Sequence, residues 1–213
     1  MFAIMLSLGL REGECAGLKR EDIDLEKMEL HVRRSLQWSK LPGEEQGRWI
    51  ERPPKQKSYR DLPITDTIRA NVVRHLARRK REASTTKGWR DSGYLFTSVT
   101  GAPLHPRNIL SAFHALCDAA AIPRIRVHDC RHSCATLLHA QGADGFTIQQ
   151  VLGHSQISTT RRYTHVKPEV IKPVIVAVDS ALSDLKRKRQ EEALKKAAAT
   201  SIETAKPQSG MIQ

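Results

Sequence analysis

The sequence predicts an α+β protein, mainly α-helical, with a few short strands. Three observations carry that expectation. Apolar residues recur at helical spacing over most of the chain, β-forming residues cluster between positions 28 and 64, and Pro, Gly and capping residues punctuate both kinds of segment. At 213 residues the chain can bury one proper core, so one compact domain with a tail is expected.

Met1–Leu18 has the apolar spacing of a helix, stopped by the polar run Lys19–Asp24, and this places Arg11 on a helix. Met28–Trp38 alternates and is rich in β-formers, as a strand does; Pro42-Gly43-Glu44-Glu45 makes a loop. Arg48–Arg52 and Arg60–Ile64 follow as short strands, with Lys55 riding a β-turn between them. Thr65 or Asp66 caps a helix running to about Ala83, with Ile68, Val72, Val73 and Leu76 inward. Its far end, Arg78-Arg79-Lys80-Arg81, is a solvated or phosphate-facing group. Tyr94-Leu95-Phe96 is a brief strand, Gly101 a turn, and Pro106–Ala121 a helix with Ile109, Phe113 and Leu116 inward. His128 begins a helix that ends near Gly142, and Thr147 caps another, Ile148–Leu152, which Gly153 ends. Ser158 or Thr159 starts the next helix, which carries Tyr163. Pro168 and Pro173 bracket a linker, and Val174–Leu185 is an apolar patch leading into Lys186-Arg187-Lys188-Arg189 and an Ala- and Lys-rich helix. From about Thr200 the composition is that of a disordered tail.

With 35 Lys and Arg against 23 Asp and Glu, the formal charge of +12 favours a polyanionic partner, nucleic acid foremost; a surplus that only aids solubility is the plainer alternative. The apolar stretch Met1–Leu10 is too short to span a bilayer and runs straight into Arg11, Glu12 and Glu14, so no membrane partner and no secretory leader are expected. Four cysteines, at 15, 117, 130 and 134, lack paired zinc spacing, and a chain with an ample core does not need them as disulfides. A cytoplasmic protein is expected.

The chemistry resides in Arg11, Lys55, His128, Arg131, His154 and Tyr163. Breaking a phosphodiester needs a nucleophile, neutralisation of the non-bridging oxygens, and a proton for the departing alkoxide. Guanidinium groups fork onto phosphate oxygens and stay charged at any relevant pH, so Arg11 and Arg131 can replace a metal as the clamp. The phenol of Tyr163 is suited to be the nucleophile, because an aryl phosphodiester keeps the bond energy and can be resealed without a nucleotide. Lys55 is the candidate general acid, eased by two neighbouring cations, and His128 and His154 complete the inventory. No cofactor is called for. Taken singly, each residue has a plainer reading: a surface ion pair for Arg11 and Glu14, a solvated turn for Lys55, a packed aromatic for Tyr163, or a metal pair for His128 and His132.

Order and spacing together give more. Gly9-Leu10-Arg11 with Glu14, Lys55 eight residues before Pro63, His128-Asp129-Cys130-Arg131-His132, Leu152-Gly153-His154, and Tyr163 nine residues on resemble the catalytic domain of the tyrosine recombinases, the phage integrase family, from about residue 5 to residue 167. The resemblance implies that family's fold, with a small three-stranded antiparallel sheet. It implies a site-specific recombinase or integrase that cleaves and rejoins double-stranded DNA through a 3′-phosphotyrosyl link to Tyr163. Arg11 and Arg131 would hold the scissile phosphate, Lys55 would protonate the 5′ oxygen, His128 and His154 would assist, and Glu14 would buttress Arg11. Lys57, Ser58, Arg60, Arg161 and Arg162 are expected to contact DNA.

By the same resemblance the chain would self-associate, as a tetramer on DNA, work with accessory DNA-bending proteins, and come from a bacterium or phage. Val174–Leu185 either passes to a neighbouring copy or packs on its own domain. The expected organisation is residues 1–167 as the catalytic domain, 168–199 as linker and helix, and 200–213 as tail. Because Arg11 arrives almost at once, the DNA-gripping part that precedes it in the family is expected to be missing. The rival reading is a truncated, non-catalytic DNA-binding remnant of an integrase.

Overall fold

The structure, a computed structural model, describes residues 1–153 and 168–204. Residues 1–178 form one compact unit and residues 179–213 a second.

The expected first helix is two helices. Helix α1 (Phe2–Leu8) stops because Gly9 turns left-handed at φ 63°, and α2 (Glu12–Ala16) restarts after the extended Arg11. Arg11 is therefore the residue that caps α2, not one in the body of a helix. Glycine is required at position 9 twice over: the left-handed backbone disfavours a side chain, and a Cβ would collide with Leu152 and press on Cys134.

Strands β1 (Ile23–Asp24), β2 (Glu29–Val32), β3 (Ser35–Ser39), β4 (Arg48–Arg52) and β5 (Arg60–Pro63) come next. A three-stranded antiparallel sheet forms in the order β1-β2-β5, with Leu30 opposite Leu62 and Val32 opposite Arg60. The single strand expected over Met28–Trp38 breaks at Arg33 and Arg34, and its second half pairs with β4 as a separate hairpin. The break has an electrostatic cause: Arg34 turns to the buried carboxylate of Asp22, and Arg33 pairs with Asp61 at 2.7 Å. On the hairpin Trp38 faces Trp49, ring centres 5.2 Å apart and edge to face, a cross-strand pair that fixes its register.

Helix α3 (Asp66–Thr85) is capped by Thr65, whose hydroxyl accepts from the Ile68 amide at 3.3 Å. Ile68 and Val72 are buried as expected, but Val73 is exposed, and Arg79 is turned inward to Glu82 at 2.6 Å and the Ser98 carbonyl at 2.8 Å. Tyr94-Leu95-Phe96 makes only isolated bridges, Lys19 to Tyr94 and, just beyond, Thr97 to Pro103. Helix α4 (Pro106–Ala119) buries Ile109 and Phe113 while Leu116 stays exposed.

Helix α5 (Asp129–Ala140) begins after His128, and α6 (Gly145–Leu152) is capped by Asp144 in place of Thr147; the Asp144 carboxylate accepts from the Thr147 amide and hydroxyl at 2.8 and 3.0 Å. Gly153 ends α6 in the left-handed conformation. The expected linker after Pro168 is instead the start of α7 (Pro168–Thr204), which contains Pro173. In its first turns Ile171, Ile175 and Val178 are buried within the chain, whereas Val176 and Leu185 are exposed. All four cysteines are free thiols buried in the core. Among the described residues no helix is long and apolar enough to cross a membrane.

Candidate active site

The site is assembled where α2, the turn after β4 and the N-terminus of α5 meet. Arg11, Glu12, Gly13, Trp38, Trp49, Lys55 and His128 line one open cavity of about 450 Å³. Lys55, 44 positions from Arg11, and His128, 73 positions from Lys55, are thus brought to one cavity with Arg11 by the fold.

Arg11 owes its direction to three acceptors. Its Nη1 donates to Glu14 Oε1 at 2.6 Å and to the Ser58 hydroxyl at 3.3 Å, and its Nη2 donates to the Gly153 carbonyl at 3.0 Å. Glu14, fully buried in the first turn of α2, also accepts from the Arg11 amide at 2.9 Å. Burial alone would raise the Glu14 carboxyl, but the charge and hydrogen bonds of Arg60, and then those of Arg11, hold it below its ordinary value, so it stays ionised.

Arg131 comes from α5. Its Nη1 donates to the Gly9 carbonyl at 2.6 Å, two residues before Arg11, and the side chain is buried. Its buried Nη2 has no hydrogen-bond partner among the described residues. Burial first, then the charges of Arg11 and Arg60, push its pKa down to about 10. It remains a cation at neutral pH, short of one acceptor.

Lys55 is exposed in a tight 3-10 turn (Lys55–Lys57) whose Gln56 and Lys57 both take positive φ, 59° and 53°, which corrects the simple β-turn expected there. His128 stands at the cavity mouth, its ring 5.1 Å from that of His132 and edge to face. Partial desolvation, then the charges of His132, Arg131 and Arg126, lower its pKa against a smaller opposing pull from Asp129. His128 is therefore neutral at pH 7.

Of the residues expected at DNA, Lys57 is exposed and Ser58 half-buried, its hydroxyl engaged with Arg11. Arg60 is a correction: it is only 8% exposed, turned inward from β5 on the face of Leu62. Its hydrogen bonds to the buried Glu14 carboxylate and to the Ser58 and Val151 carbonyls offset the desolvation of its charge. The alternation of buried Arg60, exposed Asp61 and buried Leu62 was a signal present in the sequence. The aromatic wall of Trp38 and Trp49 was also missed; its signal was their symmetric spacing about the loop. His154, Arg161, Arg162 and Tyr163 lie outside the described residues.

Comparison with known proteins gives the family and the fold. The family model described as the phage integrase family matches residues 1–169, and the chain belongs to that family, the tyrosine recombinases, with their catalytic-domain fold. It is 35% identical over 178 residues to a protein named tyrosine recombinase XerC-like from Caldanaerobacter subterraneus subsp. tengcongensis, covering 79% of this chain and 46% of that one. It is 40% identical over 117 residues to tyrosine recombinase XerD of Caulobacter vibrioides, covering 53% of this chain and 37% of the relative. Among solved structures, the Tn1549 transposon integrase in complex with transposon right end DNA superposes with a TM-score of 0.59 at 25% identity, covering 87% of this chain and 57% of the other. The XerA recombinase gives 0.53 at 25% identity, covering 81% and 54%. The chain spans about half the length of the curated XerC relatives it matches, 46% to 52%.

Proposed function

We propose that this chain cleaves and rejoins DNA strands at a particular site through a phosphotyrosyl intermediate on Tyr163. The observation that carries the reading is the buried, charged Arg131, whose Nη2 has no partner among the described residues, placed beside an Arg11 that shares a cavity with Lys55 and His128. An anion with several oxygens is the species that such a pair of guanidinium groups accommodates.

In the proposed step the Tyr163 oxygen attacks the scissile phosphorus, and the phenolic proton passes to a neutral imidazole, His128 being held neutral by its surroundings. The bond from phosphorus to the 5′ oxygen breaks, and that oxygen leaves with a proton from Lys55. Arg11 and Arg131 neutralise the charge that builds on the non-bridging oxygens. The reverse reaction, with a new 5′ hydroxyl as nucleophile, reseals the strand without an external energy source. Double-stranded DNA is the proposed substrate, self-association on DNA and accessory DNA-bending proteins the proposed context, and the cytoplasm of a bacterium the proposed setting.

The test uses EDTA-containing buffer and a nicked duplex whose sequence this chain has selected from a random library. The wild type is expected to yield a covalent protein–DNA adduct on a denaturing gel, and Tyr163→Phe none. A gel shift with no adduct from the wild type would favour a non-catalytic DNA-binding remnant. Cutting that EDTA abolishes and Tyr163→Phe does not would mean metal-dependent hydrolysis.

A further inference from the structure

We infer that Arg60 is a positioning residue of the strand-cleaving site, fixing the aim of Arg11 before DNA arrives. The inference rests on the proposed cleavage reading and assigns a role to a side chain that cannot itself reach the substrate, since it is only 8% exposed.

Its guanidinium touches three separate segments. Nη2 donates to Glu14 Oε2 at 2.8 Å and Nη1 to Glu14 Oε1 at 3.3 Å, in α2. Nη1 also donates to the Ser58 carbonyl at 3.2 Å, in the segment that carries Lys55. Nε donates to the Val151 carbonyl at 2.8 Å, near the end of α6. Arg11 touches the same three places from the other side: the Glu14 carboxylate, the Ser58 hydroxyl and the Gly153 carbonyl.

The two guanidinium groups and the carboxylate thus close a ring that runs from Arg11 to Glu14, to Arg60, to the end of α6, and back to Arg11. Packing reinforces it, because a Cβ on the left-handed Gly153 would lie 2.8 Å from Arg60 Nη1. Without Arg60, Glu14 loses the partner that anchors it to β5 and moves freely with Arg11. The catalytic guanidinium then keeps its charge and loses its bearing. Lysine is a poor substitute, since a single ammonium on a flexible stem does not span three acceptors the way a planar fork does.

Single-turnover adduct formation on the selected nicked duplex, at saturating DNA, tests this. Arg60→Gln and Arg60→Lys are expected to bind the duplex with near wild-type midpoints and to form adduct about 100-fold more slowly, the size of loss that a small misplacement of a reacting group produces. Added guanidinium chloride at low millimolar concentration is expected to restore part of the rate to Arg60→Ala, and ammonium chloride none of it. A residue that served stability alone would lower the melting temperature and leave the rate of the folded fraction unchanged. If the single variants do not fold, Glu14→Gln combined with Arg60→Gln removes both buried charges and is expected to fold yet react slowly. A folded Arg60 variant with wild-type adduct rate, or one whose whole defect is in DNA affinity, overturns the inference. A wild type that yields no adduct overturns the cleavage reading first, and this inference with it.

Discussion

Arg131 is kept in a state that has a cost: a buried cation with one nitrogen unsatisfied among the described residues, drawn down to a pKa of about 10 and still charged at neutral pH. Groups of that kind persist where a ligand completes them. The neighbouring His128 is shifted in the same direction. Its folded-state pKa lies below the ordinary 6.5, so the unfolded chain binds the proton more readily, and stability contributed by this group falls as pH drops below 6.5. In the DNA-free protein its imidazole resonances are expected to titrate with a midpoint under 6.5, read by histidine-selective NMR against a His128→Gln control; a midpoint above 6.5 contradicts the charge environment described. Arg11, Lys55, His128 and Arg131 were legible in the sequence because each chemistry-bearing type sits within a short, ordered motif. Arg60 was not, because a positive charge in a basic chain suggests the surface, and only Leu62, two residues on along the same face of its strand, argued otherwise. Val73 and Leu116 misled for a related reason: helical spacing identifies a face only to within a residue on either side.

At the level of elements, the break between α1 and α2 does more for the site than either helix. Gly9 places its carbonyl on Arg131 and lets the chain turn so that Arg11 caps α2 beside Glu14. Gly9→Ala is expected to lower stability by about 1–2 kcal/mol from the left-handed backbone alone, and by more from the collision with Leu152. Thermal melts of Gly9→Ala with and without Leu152→Ala check this: the second change relieves the collision and not the backbone term, so the coupling between the two is the quantity to read. Apolar periodicity could not see this break, since Leu8 and Leu10 flank the glycine with matching character. The split of the second strand was hidden likewise, because Leu36 and Trp38 resume the every-second-residue spacing of Leu30 and Val32 after the two arginines, whose distant carboxylates part the two halves. At α6 two residues three apart, Asp144 and Thr147, both had capping chemistry; the carboxylate won by accepting from both the amide and the hydroxyl of the threonine. Pro173 lies inside α7, past the four amides that a helix start leaves free, so it removes one i→i−4 hydrogen bond without ending the helix.

For the whole molecule, the net charge of +12 and the exposed Lys55 and Lys57 argue that the DNA binding proposed for this chain is dominated by phosphate contacts. Fluorescence anisotropy with a labelled duplex is expected to show binding weakened about 1000-fold between roughly 50 and 200 mM salt if six or more phosphates are neutralised. Affinity that ignores salt would place the interface elsewhere than on this basic surface. The fold class and the helical framework followed from pattern, but the convergence of α2, the Lys55 turn and the start of α5 on one cavity is a property of long-range packing that no local pattern encodes. The small sheet has one consequence beyond its size. Val32 lies opposite Arg60 and Leu30 opposite Leu62, so a slip of one residue would send the guanidinium outward and bring Asp61 in. A chain that zips those few strands out of step would carry Arg60 at its surface and leave Glu14 with one guanidinium in place of two.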